Sequence, residues 1–149
     1  MRALFAFFCL VLGLLFAVGC GDDDTGCRNA ADGTSCANGA GTCQLGSCQV
    51  SCSERGIRAA VALGGGPYTF DCDGVQRVVT SSEIVIPRNV ILDGEGKLIV
   101  DGHENHRVFN ISGRQAHVTL SGMSIVQGRV TNGNGGAISN GGTLTVRRC

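Results

Sequence analysis

From Glu83 onward the chain is written in pairs of apolar residues one position apart: Ile84/Ile86, Val90/Leu92, Leu98/Val100, Phe109/Ile111, Val118/Leu120, Met123/Ile125 and Leu144/Val146. Alternation with period two predicts strands with one buried and one wet face. The pairs also repeat at longer range. Val90/Leu92 returns as Val118/Leu120 after 28 residues and as Leu144/Val146 after 26 more. Ile84/Ile86 returns as Phe109/Ile111, and Leu98/Val100 as Met123/Ile125, each after 25 residues. Three interleaved ladders with one shared period predict a coil with three strands per turn, and a period of about 20–50 residues marks a solenoid.

Between the pairs stand turn residues: Asp93-Gly94-Glu95-Gly96, Asp101-Gly102, Ser121-Gly122, Asn132-Gly133-Asn134-Gly135-Gly136 and Asn140-Gly141-Gly142. Gly and Asn tolerate the positive φ of sharp corners. Glycine makes up 24 of 149 residues, far above a usual share of about 7%, as many corners require. Phe70/Cys72 and Val78/Thr80 come before the well-phased part and predict an incomplete first turn. Upstream, the pattern changes period. Ser53 stands as an N-cap before a helical face of Ile57, Ala60, Val61 and Leu63, and Gly64 to Gly66 end it. A solenoid end exposes strand edges and core, so segment 53–66 is expected to cap it.

The segment 27–52 has almost nothing to bury. Apart from cysteine its apolar residues are Ala30, Ala31, Ala37, Ala40, Leu45 and Val50. Cys27, Cys36, Cys43, Cys48 and Cys52 must supply the cohesion, as in small exported modules. Five is odd. Either Cys72 is the sixth partner, giving three bridges of open connectivity, or it points into the solenoid core beside Phe70. Zinc is disfavoured, because the segment has neither a C-x2-C pair nor a histidine.

Residues 1–19 read as a secretory signal: Arg2 is the only charge, followed by an apolar run from Ala3 to Val18. That run is shorter than the ~20 residues needed to span a bilayer as a helix. Phe16-Ala17-Val18-Gly19-Cys20 resembles the lipobox of bacterial lipoproteins, with Ala17 where leucine is usual. The resemblance implies acylation of Cys20 and, with Gly21 rather than aspartate next, outer-membrane sorting. Residues 20–26 would then form a solvated tether.

The segments GGGPYTFDC, EIVIPRNVILDGEGKLIVDG, RVFNISGRQAHVTLSGMSIVQG and GGAISNGGTLTV resemble the opening turns of bacterial right-handed parallel β-helix proteins. More narrowly, they resemble those with polymorphic-outer-membrane-protein-type GGAI repeats, with the motif at Gly135 to Ile138. The partner motif FxxN would fall beyond Cys149. The resemblance covers residues 64–149 and implies secretion, a surface location and often adhesion or polysaccharide contact. By the ladder phase Cys149 begins a third strand, so the chain is expected to be the N-terminal part of a longer coil.

The chemistry is sparse. Lys+Arg and Asp+Glu are 12 each, and no basic patch with interleaved aromatics suggests nucleic acid. His103-Glu104-Asn105-His106 is one residue short of H-E-x-x-H and sits at a corner. Gly94-Glu95-Gly96 lacks the third glycine of a dinucleotide loop, since Ile99 stands there. The best enzyme case rests on Asp71, Asp73, Asp93, Asp101 and Glu104, because some β-helix proteins are pectate lyases or polygalacturonases. No two of these carboxylates share a ladder position, and Arg107, Arg114 and Arg129 are scattered by phase.

The expectation is therefore an all-β chain: a right-handed parallel β-helix over residues 67–149, a capping helix, a disulfide module and a lipid anchor. It would sit at the outer membrane, on the surface or periplasmic face. It would be structural or adhesive, without cofactor or metal, and would contact surface polysaccharide or protein. A carbohydrate-active lyase or hydrolase is the alternative, and binding by the cysteine module a lesser one.

Overall fold

A computed structural model describes residues 27–149; the expected export signal at 1–19, the acylation expected at Cys20 and the expected tether at 20–26 lie outside the described residues. The chain forms a β-solenoid of about three turns, with a disulfide-linked segment at its N-terminal end. In order come β1 (Ser35–Cys36), β2 (Gly41–Gln44), β3 (Ser47–Ser51), α1 (Glu54–Leu63), β4 (Gly65–Asp71), β5 (Gln76–Val79) and β6 (Ile84–Ile86). They are followed by β7 (Val90–Asp101), β8 (Phe109–Ile111), β9 (His117–Val126), β10 (Ile138–Asn140) and β11 (Thr143–Arg147). The large sheet runs β1-β2-β3-β4-β7-β9-β11, with β5 also on β7; the small sheet runs β10-β8-β6.

The ladders read from the apolar pairs are the ladders of the fold. Val90 stands opposite Val118 and Leu92 opposite Leu120, and these stand opposite Leu144 and Val146. Ile84 and Ile86 face Phe109 and Ile111, and Leu98 and Val100 face Met123 and Ile125. All pairings within the coil are parallel, as expected where each rung buries its apolar face against the next. Ile84, Ile86, Val90, Leu92, Leu98, Val100, Phe109, Ile111 and Leu120 are fully buried. Each such side chain contributes roughly 1.5–3 kcal/mol relative to exposure.

Two ladders expected as separate strands are halves of continuous ones. β7 carries both Val90/Leu92 and Leu98/Val100, with a register shift between Asp93 and Leu98, and β9 follows the same bend. Gly122 sits at that bend with φ 56°, where a Cβ would come within 2.7 Å of Asp93 Oδ1. The corner therefore bends the hydrogen-bonded strand without ending it.

The first turn is more complete than its sequence phase suggested. Tyr68 stands opposite Leu92, and Val78 opposite Val100. A register shift between Gly65 and Tyr68 takes this turn out of phase with the rest. Its inward pair on β4 is Tyr68/Phe70, whereas Cys72 bonds to Cys52.

The cysteine segment extends the same sheet. β1, β2 and β3 form an antiparallel meander, and β3 then pairs parallel with β4, Cys48 opposite Tyr68 and Val50 opposite Phe70. The pairing Cys27–Cys43, Cys36–Cys48 and Cys52–Cys72 uses all six candidate cysteines. Cys149, past the end of β11, is an exposed free thiol.

Helix α1 follows its sequence signals closely. Ser53 Oγ accepts a hydrogen bond from Gly56 N at 3.2 Å, and Gly64 N donates to Ala60 O at 2.9 Å. Ile57, Ala60 and Val61 are buried, and the helix packs on β3, β4, β6 and β7. Arg58 fixes its outer side, bonding Glu54 Oε1 and Ser82 O at 2.8 Å each.

Candidate binding groove at the stacked corners

Two successive loops carry the chain from the small sheet to the large one. Residues 87–89 join β6 to β7, and residues 112–116 join β8 to β9. The loops stack because small residues let them approach. At Gly64, with φ 74°, a Cβ would lie 2.7 Å from Arg88 Cδ, so the arginine stem lies across a bare backbone. Asn89 ties the corners together: its carbonyl accepts from Gly65 N at 2.8 Å, and its Oδ1 accepts from His117 N at 2.8 Å.

These loops and the end of α1 line a groove of about 670 Å³. Arg88 and Arg114 are both exposed in it, in consecutive corners. Neither guanidinium makes a hydrogen bond or ion pair among the described residues. Asn89 and Gln115 add amides, and no lining residue is a carboxylate. The groove thus concentrates positive charge with nothing of its own to neutralise it.

The carboxylates lie elsewhere: Asp101, Glu54, Glu83 and Asp93 are occupied, whereas Asp71, Asp73 and Glu104 make no side-chain hydrogen bond or ion pair among the described residues. Asp101 is buried, at 2% exposure. Its Oδ1 accepts from His103 N at 2.7 Å and its Oδ2 from Arg77 at 2.6 Å. With its nitrogen turned toward that carboxylate, the Gln127 amide donates to both oxygens at 2.9 Å. The His103 N–H bond, and next the Arg77 guanidinium, hold the Asp101 carboxyl below its ordinary range against the opposing effect of burial. Burial likewise pushes Glu54 up, but Ser81 and Arg58 hydrogen bonds outweigh it and leave its carboxyl lowered. Glu83 receives Arg107 at 2.8 Å and Asn110 at 3.1 Å. Asp93 Oδ1 accepts from Glu95 N at 2.9 Å, bracing its own corner.

The ladder partners of these acids are not acids. Asp93 stands between Thr69 and Ser121, Asp101 between Val79 and Val126, and Asp71 opposite Ser51. In the His103–His106 corner, His106 Nδ1 and Nε2 lie 2.8 and 2.9 Å from the carbonyls of Arg107 and Thr80, so its nitrogens brace the backbone. Arg107 also bonds the carbonyls of Gly135 and Asn134, at 2.8 and 3.0 Å, clamping the approach to the GGAI segment. The sulfurs of Cys27, Cys36 and Cys48 lie within 4.8 Å of one another because two disulfides stack there, and bonded sulfur is no thiolate ligand.

Arg88 was not among the residues singled out from sequence, and Arg114 was taken as scattered. A usable signal exists: Arg88 follows Ile86 by two residues and Arg114 follows Ile111 by three, and Ile86 and Ile111 are ladder partners. Counting from the strand ends, rather than by a fixed period, brings the two together. No protein-family model, curated protein or solved structure matches the chain. No helix among the described residues is long and apolar enough to cross a membrane.

Proposed function

We propose that this is an exported, lipid-anchored cell-envelope protein whose β-solenoid binds a surface partner and performs no catalysis. One contrast carries this reading. Asp101, Glu54, Glu83 and Asp93 are engaged in holding corners, while Arg88 and Arg114 are the unengaged charges of an open groove. A general acid–base pair needs ionisable groups within reach of one substrate, and these carboxylates are spent on holding corners, Glu54 and Glu83 at the one around Ser81 to Glu83, Asp93 and Asp101 at two others. Three disulfides fit an oxidising compartment, consistent with an export signal and an acylated Cys20 at the outer membrane. The coil is read as right-handed with three strands per turn, each turn supplying one small-sheet strand and the two arms of a bent large-sheet strand. It belongs with β-helix proteins of the GGAI-repeat type on the motif at Gly135 to Ile138.

The test has two arms. In a bacterial host the chain should incorporate labelled palmitate, and Cys20→Ala should abolish it. Purified protein incubated with acidic polysaccharides, with and without calcium, should release no unsaturated or reducing-end products. Robust turnover would overturn the non-catalytic reading in favour of a carbohydrate-active enzyme.

A further inference from the structure

We infer that the corner groove takes an acidic polysaccharide, with Arg88 and Arg114 holding successive carboxylate or sulfate groups along the chain; this rests on the binding reading above. The two guanidiniums come from consecutive corners, where neighbouring rungs of a parallel sheet lie about 4.8 Å apart. A ligand that meets both must carry repeated negative charge along the solenoid axis, as a polymer does. Guanidinium forks match planar carboxylate and tetrahedral sulfate oxygens with paired N–H donors.

The remaining lining suits the hydroxyl-rich backbone of a sugar and offers nothing to stack the bases of a single strand. Asn89 and Gln115 offer amides to hydroxyl groups, whereas no aromatic ring lines the groove to stack a base. No carboxylate among the lining residues opposes a polyanion, so its approach meets attraction alone. Both arginines are exposed and, among the described residues, make no hydrogen bond or ion pair, so binding breaks none there.

The experiment measures binding of the full chain to immobilised polygalacturonate, dextran sulfate and neutral dextran. Wild type should bind either or both charged polymers and not the neutral one. Affinity should fall at least about tenfold between about 20 and 200 mM salt. Arg88→Ala/Arg114→Ala should weaken binding at least about tenfold while the variant still unfolds cooperatively, and Arg88→Gln/Arg114→Gln, which keeps most of the stem over Gly64, should weaken it as much with an unchanged melting temperature. Arg129→Ala/Arg147→Ala removes the same charge from exposed positions outside the groove and should change binding less than about threefold.

Equal loss in both double variants would overturn the proposal, since net charge alone would then explain binding. So would absence of binding to both charged polymers. Tighter binding of duplex DNA through the same two arginines would overturn it in favour of nucleic acid. Product release, followed on the same samples, separates the two readings. Cleavage of a bound polymer sinks the non-catalytic function and leaves the groove's ligand standing. Failure to bind without cleavage sinks only the ligand.

Discussion

The first 26 described residues and the coil that follows belong to one sheet yet are held together by different means. In residues 27–52 the buried apolar set is Cys27, Cys36, Cys43, Cys48, Val50 and Cys52. In the coil it is Ile, Val, Leu and Phe stacked in register. The difference follows from position. An inner rung such as β7 has parallel neighbours on both sides, β4 and β9, and apolar stacking above and below. An end rung has half of that. β3 replaces the missing half with an antiparallel meander, stapled by Cys27–Cys43 and Cys36–Cys48, and is fixed to the first turn by Cys52–Cys72. The lesson is that a solenoid end can be closed covalently where it cannot be closed by a core.

The contrast breaks most visibly when each part loses its own means of cohesion. Phe109 is fully buried in the small sheet, and Phe109→Ala should cost about 4 kcal/mol through lost burial and a cavity. Denaturant titration should show the coil itself losing cooperativity or midpoint. Cys36→Ser/Cys48→Ser opens a 12-residue separation and should cost about 3 kcal/mol. Its loss should be local. Hydrogen exchange should quicken across β1 to β3 while β7 and β9 keep their protection. Equal deprotection of both regions would show that the end and the coil unfold as one unit, and the comparison would fail.

The coil was legible because its inward residues are unambiguous hydrophobes at period two. The end rung was hidden by the same rule applied too narrowly. Cys48, Val50 and Cys52 alternate inward as faithfully as Ile84 and Ile86, but half-cystine is not counted as apolar when a strand is sought. Phe70/Cys72 reads correctly as inward but incompletely: Tyr68 is buried two positions earlier, and the bulge between Gly65 and Tyr68 puts this turn out of phase with the later ones. The groove was illegible because corner loops differ in length, three residues against five, which breaks any fixed period exactly where the arginines sit apart from the strands. Hydrogen bonds such as Gln127 to Asp101 join residues 26 positions apart, and nothing local announces them.

A smaller effect sharpens the account of how corners hold. Asp101→Asn should cost roughly 2 kcal/mol near neutral pH, because charge-assisted bonds to His103 N and Arg77 are weakened. The folded carboxyl titrates below its ordinary range, so its contribution is present above the unfolded value of about 3.9 and is lost as pH falls through the lower folded value. Wild type and variant should therefore differ by a constant amount from pH 7 to about 5 and converge below about 4. A gap in unfolding free energy that stays constant to pH 2 would show that the bond geometry, and not the charge, matters.

The smallest effect runs the other way and belongs to the cysteine end. Leu45 is 92% exposed at the tip of the β2–β3 hairpin, with φ 49°. Its amide donates to Asp32 Oδ1 at 2.8 Å, a bond any residue can keep. A leucine in the left-handed region costs about 1 kcal/mol against glycine, and an exposed side chain returns almost none of that through burial. Glycine also gives up more freedom on folding, which offsets part of the gain. Leu45→Gly should thus raise stability by at most about 1 kcal/mol, seen as slower exchange at β2 and β3 amides with no change in the coil. If it instead loosens β1 to β3, the leucine is packing against something at the hairpin tip, and the end rung is held by more than its disulfides.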